Sequence, residues 1–531
     1  MFAYTILFVF AAVIVALNLF AELKRDLMMM QQNSYRNDRY MRWLRASGDT
    51  TSLMRIMGYC VFFISFIAFA NSVVAQCLMV VFAVINLISL YGKKYKKPLV
   101  WTPRARRIYG VSLVLSAIVV AVACAAFGVG VDNCLFVGMI ALVGLYCASH
   151  MVMMASICIL TPVENHINKG YYNDAKRILD SMPDLKVIGI TGSYGKTSTK
   201  HYLYRILSES FDVVMTPGSY NTTLGVIRTV REYLKPYTQI FICEMGAKQQ
   251  GDISEICELV HPEIGIVTAV GPQHLESFKT IENVQRTKFE LVDSLPADGL
   301  AVVNNDFPYI KNRKVDTVCC ERYAVSLAEE GDYRAENVNY SACGTTFVVV
   351  CPDGHRLELA TRLVGECNIS NLLASVIVAL KLGVPESKIK YAIEKIEQVE
   401  HRLNVKRTPG GITIIDDAFN SNPTGSTMAL DVLAAMTGGK RIIITPGMIE
   451  LGDRQDELNC EFGRKVAVSA DVAIVVGLYN RDSICRGIAE GNGTAEVHTV
   501  DTFNDAQRLL ATIGRSGDTV LYENDLPDTF K

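Results

Sequence analysis

The chain has 531 residues, with 52 Lys and Arg against 54 Asp and Glu, for a formal net charge of −2. So even a balance gives no electrostatic footprint for nucleic acid, and the length suffices for about two to four domains with their own cores. The fifteen cysteines form no CxxC pair or zinc spacing, which excludes a zinc ribbon and reads as reduced, cytosolic thiols.

Mean hydropathy is positive, and the excess sits before residue 161. Apolar stretches at 2–20, 56–70, 73–91, 109–127 and 134–160 are each near the roughly 20 residues that cross a hydrocarbon core. The 56–70 run is short, so its boundary with the next, near Asn71–Ser72, stays open. A signal peptide is the alternative for the first run, but Lys24 and Arg25 follow it rather than precede it. Lys24, Arg25, Arg36, Arg39, Arg42, Arg45 and Arg55 lie between the first and second runs. Lys93, Lys94, Lys96, Lys97, Arg104, Arg106 and Arg107 lie between the third and fourth, and the other two connections carry no Lys or Arg. Solvated linkers are the plainer reading of these basic segments. The positive-inside rule predicts instead an α-helical membrane domain over 1–160, with about five transmembrane helices. The protein is then multi-pass in the plasma membrane, with its N-terminus outside and its catalytic domains cytoplasmic, and 161–185 is a linker.

From Lys186 short β-branched runs alternate with amphipathic helices: "VIGIT" (187–191), "IFICEM" (240–245), "IGIVTAV" (264–270) and "LAVVNN" (300–305). Such alternation predicts an α/β domain with a parallel sheet covered on both faces, here spanning 186–398. Within it "TTFVVV" and "HRLELATRL", around Pro352-Asp353-Gly354, predict an added hairpin. "GITIIDD", "KRIIITPG", "VAIVVG", "AEVHTV" and "TVLYEN" then predict a second, Rossmann-like α/β domain over 399–531.

The segment "VIGITGSYGKTST" (187–199) joins a strand to a helix through a glycine turn. A strict phosphate loop places Gly where Ile190 stands; the glycines are Gly189, Gly192 and Gly195. Still, "TGSYGKTS" ends a strand and opens a helix, so backbone N–H groups and the helix N-terminus can meet phosphate oxygens. Gly192, Ser193, Tyr194, Gly195, Lys196, Thr197 and Ser198 are therefore candidate ATP-binding residues. Lys196 reaches the β- and γ-phosphates, and Thr197 holds Mg²⁺. Glu244, at the end of "IFICEM", suits Mg²⁺, although such acids often only cap the next helix. Taken singly, His274 in "GPQHLESF" reads as a packed or surface residue, and Lys288 in "RTKFE" as a solvated helix lysine.

Read in order, "TGSYGKTS", "SYNTTLG" (219–225), "EMGAKQQGDI" (244–253), "GPQHLESF" (271–278), "RTKFE" (286–290), "NND" (304–306), "GECNISN" (365–371), "HRLNV" (401–405), "DDAFNSNP" (416–423) and "GMIELG" (447–452) resemble the Mur ligases. These are the ATP-dependent amide-bond ligases of peptidoglycan precursor synthesis. The series is most similar to the branch that adds D-alanyl-D-alanine to UDP-N-acetylmuramoyl-tripeptide, and it covers roughly 186–531. The resemblance implies a central ATPase domain, a closing C-terminal domain, and an acyl-phosphate intermediate that an amine resolves. It implies catalytic roles for Lys196, Lys288, His274 and Glu244. Thr197 and Glu244 hold one Mg²⁺, and His274 helps to hold a second. Lys288 reacts with CO₂ to become a carbamate beside the metals. Asn304 and Asn371 lie near adenine, Arg402 and Asp417 reach ATP as the domains close, and Asn221, with Thr222, lies at the substrate site. Implied partners are a UDP- or lipid-linked muramoyl peptide, an amino acid or dipeptide amine, and the lipid bilayer.

Some positions depart from the branch. Cys367 stands for a usual His, Phe419 for a usual Tyr, and "LYENDLPD" (521–528) for an ending with lysine and glycine. The UDP-gripping domain that opens the soluble enzymes is replaced by the apolar region. A related ligase of another envelope acceptor, such as polyglutamate, is the alternative. An ATP-driven transporter is a weaker one, since no "LSGGQ" follows the loop.

Overall fold

Residues four apart on a helix fall on one face, and the first helix of the protein uses that spacing for polar groups. The structure, a computed structural model, describes residues 2–47, 73–92, 95, 97–128, 130–326, 328–341, 344–399, 402–418 and 421–525. The chain divides into two compact units, one within Met1–Asn168 and one of Lys169–Asp525.

The first unit is helical: α1 (Phe2–Gln32), α2 (Asn37–Ser47), α3 (Val73–Gly92), α4 (Pro103–Phe127), α5 (Val131–Cys147) and the start of α6 (Ser149–Asp180). Thr102 opens α4, its side chain accepting from Ala105 N at 3.1 Å with Pro103 at the first turn, the usual chemistry of a helix start. Leu19, Leu23, Leu27, Tyr40, Trp43, Ile108 and Met153 form a core. Asn18, Glu22 and Asp26, four apart on α1, are buried as well. Asn18 Nδ2 donates to Ala83 O at 2.8 Å, and Asn86 Nδ2 to Asn18 Oδ1 at 2.6 Å. Arg107 grips Glu164 through two bonds of 2.7 and 2.9 Å.

This unit corrects the expected multi-pass membrane placement. Among the described residues one helix, α4, is long and apolar enough to cross a membrane; counting the bent pair Cys134–Cys147 and Ser149–Asp180, at 79°, as one span gives two. The basic connection expected after residue 20 is largely helical among the described residues, with Lys24 and Arg25 in α1 and Arg39, Arg42 and Arg45 in α2, although Arg36 sits in the turn between them. Asn18 of the buried stripe on α1 bonds Ala83 and Asn86, and Glu22 pairs with Arg25 at 2.9 Å. The run at 56–70, with Arg55, Lys93, Lys94 and Lys96, lies outside the described residues. A five-span plasma-membrane localisation with an outside N-terminus, and the bilayer as a partner, are not borne out. Residues 161–180, read as linker, belong to α6.

In the second unit a nine-stranded sheet has the order β2-β3-β1-β4-β5-β6-β7-β8-β9. Its strands are β1 (Lys186–Thr191), β2 (Val213–Met215), β3 (Ile240–Glu244), β4 (Ile264–Val267), β5 (Leu300–Asn304), β6 (Cys319–Ala324), β7 (Tyr333–Ser341), β8 (Gly344–Val350) and β9 (Arg356–Thr361). The strands from β2 to β7 are parallel, and β8 and β9 form the expected antiparallel hairpin. Successive strand residues point to opposite faces, and both faces are covered. Ile188, Ile190, Ile240 and Ile242 join one core with α7 (Lys196–Leu207), whereas Val187, Phe241 and Cys243 join another. That second core also takes residues of α8 (Thr223–Tyr233), α9 (Asp252–Val260), α10 (Leu275–Phe278), α11 (Ile281–Asp293) and α12 (Pro308–Lys311). The first face is completed by α13 (Glu366–Lys381) and α14 (Glu386–Glu394). Strand order reverses at β1, so a crevice opens at its carboxyl end, where ligands of such sheets bind.

A six-stranded sheet follows, in the order β10-β11-β15-β12-β13-β14, with β10 (Asn404–Arg407), β11 (Thr413–Asp417), β12 (Arg441–Thr445), β13 (Val472–Val476), β14 (Glu496–Val500) and β15 (Thr519–Glu523). Only the β10–β11 pair is antiparallel. Its helices are α15 (Pro423–Ala434), α16 (Gln455–Ser469), α17 (Arg481–Glu490) and α18 (Phe503–Ile513).

Candidate active site

The departure at Ile190 has a simple cause. Ile190 is still inside β1, fully buried, so the turn proper begins after Thr191. Its two glycines are obligatory. Gly192 has φ +151° and Gly195 φ +79°, and an added Cβ would lie 2.1 Å from Thr268 Oγ1 at the first and 2.4 Å from Asn371 Oδ1 at the second. Gly195 opens α7 without a side-chain cap, which leaves that helix start to bind an anion. Side chains between the glycines hold the loop down. Ser193 Oγ donates to Gly271 O and accepts from Gly271 N, both at 3.1 Å. Tyr194 OH reaches Pro272 O at 3.2 Å, and its ring lies against Phe307. Lys196 Nζ donates to Gly192 O at 2.6 Å and Ser193 O at 3.1 Å. Burial, opposed by Glu244 and reinforced by Arg402, pushes its ammonium down to about 8.

Glu244 ends β3, directly beside Ile190 of β1. Its Oε1 accepts from Thr197 Oγ1 at 3.2 Å and from Asn221 Nδ2 at 3.1 Å; its Oε2 is 2.9 Å from Lys200 Nζ. Burial works to raise this carboxyl, but Lys200 and Lys196 beside it prevail and hold it below the ordinary range. Thr197 Oγ1 and Glu244 Oε1 are adjacent hard oxygens at the loop's mouth. They fit Mg²⁺, which takes few protein ligands and fills its octahedron with water and phosphate oxygens. Among the described residues there is no cluster of three or more His, Cys, Asp or Glu that could hold a metal.

His274 and Lys288 are neither plain surface residues nor in contact with Glu244. His274 precedes α10 with φ 52°, and its Nδ1 bonds the Glu450 carboxylate of the following domain. Glu276 N also donates to Glu450 O at 3.3 Å. Burial lowers the imidazole pKa and Glu450 opposes that shift. Lys288 is buried on α11, only 2% exposed. Burial first, then Lys196, push it down to about 7, against Glu290 and Asp252. Glu290 is spent elsewhere, accepting from Gly251 N at 2.8 Å and Ser254 N at 3.1 Å. Of the four residues expected at the metals, Thr197 and Glu244 meet at 3.2 Å, whereas Lys288 feels the charge of Lys196, and His274 that of Lys288.

The remaining expected residues have structural work as well. Asn304 Nδ2 donates to Thr268 O and Ser370 Oγ, both at 2.9 Å, and Asn371 Oδ1 accepts from Thr199 Oγ1 at 3.1 Å. Ser198 lies buried on α7. Thr222 caps α8, and Asn221 O accepts from Gly246 N at 2.7 Å. Asp417 Oδ1 accepts from Leu403 N at 3.1 Å. Burial, opposed by Arg402, raises its carboxyl to about 6. Its neighbour in register, Glu523, is buried and raised well above the usual range by burial and by Asp417, while Ser421 Oγ donates to it. Cys367 is pushed up to about 12 by burial, with Asp417 adding to the shift. His401 and Phe419 lie outside the described residues, as does 526–528 of the "LYENDLPD" segment. Sequence reasoning passed over Lys200, Thr268 and Glu450. The quoted motifs contain or adjoin Lys200 and Glu450, but only the fold shows what they face.

Residues 190–379 match the Mur ligase middle domain, and residues 401–522 the Mur ligase, glutamate ligase domain. The chain is 31% identical over 314 residues to the UDP-N-acetylmuramoyl-tripeptide–D-alanyl-D-alanine ligase of Escherichia coli (strain K12), covering 57% of this chain and 68% of that one. It is 26% identical over 343 residues to the enzyme of the same name from Bacillus subtilis (strain 168), covering 64% and 72%. The MurF ligase from Thermotoga maritima in complex with ADP superposes with a TM-score of 0.60 at 26% identity, covering 67% of this chain and 80% of that one.

Proposed function

We propose, since this chain belongs to the Mur ligase family, that it joins D-alanyl-D-alanine to UDP-N-acetylmuramoyl-tripeptide. That it is an ATP-dependent amide ligase follows from both matched domains and their relatives; the substrate pair is the proposed part. The substrate pair is supported by the similarity to D-alanyl-D-alanine ligases, and the ATP chemistry by the meeting of Thr197, Asn221 and Glu244 at the mouth of the glycine loop, with Lys196 on the same helix turn.

In this reading the substrate carboxylate attacks the γ-phosphorus of ATP and ADP leaves, giving an acyl-phosphate. The amine nitrogen then attacks the acyl carbon, phosphate departs, and the amine gives up a proton. Phosphoryl transfer asks chiefly for positioning and charge neutralisation. Lys196 supplies a positive charge at the loop, and the uncapped start of α7 supplies N–H donors. Thr197 and Glu244 are the residues to hold Mg²⁺, which when bound neutralises charge on the phosphates. Asn221 fixes Glu244 from the substrate side, and Thr222 fixes the helix that follows. His274, oriented by Glu450, presents its other ring nitrogen, as carboxylate-bound histidines do at metal sites. Ser193, Tyr194 and Ser198 shape the loop, Asn304 and Asn371 set the adenine side, and Arg402 and Asp417 bring in the closing domain. Lys288, with its pKa near 7, is substantially neutral at physiological pH. A neutral amine can add to CO₂, giving a carbamate and a proton, so carbamylation of Lys288 is part of the proposal.

The test is phosphate release by the full chain with ATP, Mg²⁺, UDP-linked tripeptide and D-alanyl-D-alanine, each omitted in turn. Release that needs both organic substrates, with the joined product in the mass spectrum, is expected. Release indifferent to the dipeptide would overturn the substrate assignment. Nuclear magnetic resonance with ¹³CO₂ should show a carbamate signal that Lys288→Ala removes. Glu523, a buried carboxyl at a strand end of the last domain, favours one second reading, in which the amine is a different one. A panel of amines in the same assay decides between them.

A further inference from the structure

Lysine is almost never fully buried unless paired, and a buried ion pair is a poor source of stability. Lys200 is fully buried nonetheless. It follows Thr197 by three residues and Lys196 by four, so all three side chains rise from one face of α7. Its Nζ makes two contacts: 2.9 Å to Glu244 Oε2 and 2.7 Å to Gly218 O. Gly218, with φ +48°, belongs to the segment between β2 and α8. That segment returns three residues later to Glu244, where Asn221 Nδ2 is 3.1 Å from Oε1. The two oxygens of Glu244 are therefore treated differently. Oε2 is committed to a cation inside the protein, and Oε1 shares the loop's mouth with Thr197.

We propose that Lys200 is a positioning residue that restricts Glu244 to one-oxygen contact with the divalent cation and ties the Gly218–Thr222 segment to the phosphate-loop helix. This rests on the reading of Thr197 and Glu244 as the metal site. A carboxylate with both oxygens free can swing to embrace a cation. With Oε2 held, it offers one oxygen in a fixed direction, which suits the strict octahedron of Mg²⁺ and leaves sites for phosphate oxygens. The same ammonium lowers the negative charge felt by the cation, so binding is weaker and exchange is easier. Lys200 acts through Glu244 and touches no reacting atom itself.

The two effects have opposite signs, and this separates the proposal from a role in folding. Lys200→Met keeps the stem and removes the charge. Binding of Mn²⁺ in the presence of ADP, followed by electron paramagnetic resonance, should tighten by about tenfold, because one positive charge leaves the site. The spectrum should change as Glu244 rearranges, and kcat at saturating metal should fall. Lys200→Arg keeps the charge in a larger head. It should hold Mn²⁺ within about twofold of wild type and still lose turnover, because the guanidinium cannot stand in the same place. If Lys200→Met folds and binds Mn²⁺ as wild type or more weakly, the proposal is wrong. If it fails to fold, the arginine variant decides: wild-type turnover there overturns the proposal, and reduced turnover with retained Mn²⁺ affinity supports it. Wild-type protein that binds Mn²⁺ and ADP but joins no dipeptide would defeat the substrate assignment and leave this test standing. Wild-type protein that binds no Mn²⁺ with ADP would remove the metal site, and this inference with it.

Discussion

Replacing Lys288 with methionine should make the protein more stable and inactive at once. The side chain is 2% exposed, and its ammonium, ordinarily at 10.5, is brought down to about 7, chiefly by burial. At about 1.36 kcal/mol for each tenfold change in proton affinity, that fall amounts to about 4–5 kcal/mol against the charged folded state. The unfolded chain binds the proton up to pH 10.5 and the folded chain only up to about 7. Between those values the unfolded state holds more protons, and wild-type stability rises with pH. Below pH 7 the full penalty applies. Methionine has a similar stem and no charge to desolvate. The variant should therefore unfold at higher denaturant at pH 6, by about 2 kcal/mol or more, since relaxation around the ammonium recovers part of the penalty. The gap should close as pH approaches 10.5. The assay is urea unfolding of both proteins across that range in buffer freed of CO₂, with phosphate release measured separately in buffer equilibrated with CO₂. A variant less stable than wild type at pH 6 would refute the reasoning, because it would mean that Glu290 or Asp252 compensates the ammonium. Retained turnover would refute the catalytic assignment separately.

Other outcomes follow from the same geometry. Gly195→Ala forces a left-handed non-glycine residue, at about 1–2 kcal/mol, and drives a methyl into Asn371 Oδ1 at 2.4 Å; a lower Tm and weaker ADP binding by calorimetry are expected, and an unchanged Tm would contradict the loop geometry. Lys196→Met should lower kcat by about a hundredfold or more, about 3 kcal/mol of charge stabilisation, and near-normal turnover in the phosphate assay would remove the loop as the reaction's centre. Glu450→Gln keeps the shape but weakens the bond to His274; turnover should fall while ADP affinity stays level, and loss of ADP affinity would argue for a different role.

The α/β part was legible because its signals are local. The strand runs, the Pro352-Asp353-Gly354 turn and the glycine loop each carry their structure within a few residues, and the ordered motifs restrict what those elements can build. The Thr197–Glu244 meeting was readable for the same reason, since both lie at the ends of recognisable elements. Lys200 was not. A lysine four residues after another lysine reads as a solvated helix face, and only the packing of β3 and the Gly218 turn shows that it points inward. Glu450 was hidden because its partner lies 176 residues away. The apolar N-terminal runs misled for a complementary reason. Hydropathy registers composition and not packing: Asn18 inside the first run, and Glu22 and Asp26 just beyond it, are buried on α1.

The bond between His274 and Glu450 joins the residues matched by the middle-domain model to those matched by the glutamate ligase domain model, so one imidazole proton reports whether that junction is made. With Nδ1 protonated, the bond to the carboxylate should slow exchange of that proton and move its signal downfield. Breaking the bond should return the proton to solvent and remove the signal. With only eight histidines in the chain, a single resonance, identified by its absence in Glu450→Gln, would follow that one contact in the presence of ATP and substrates, with no label attached to the protein.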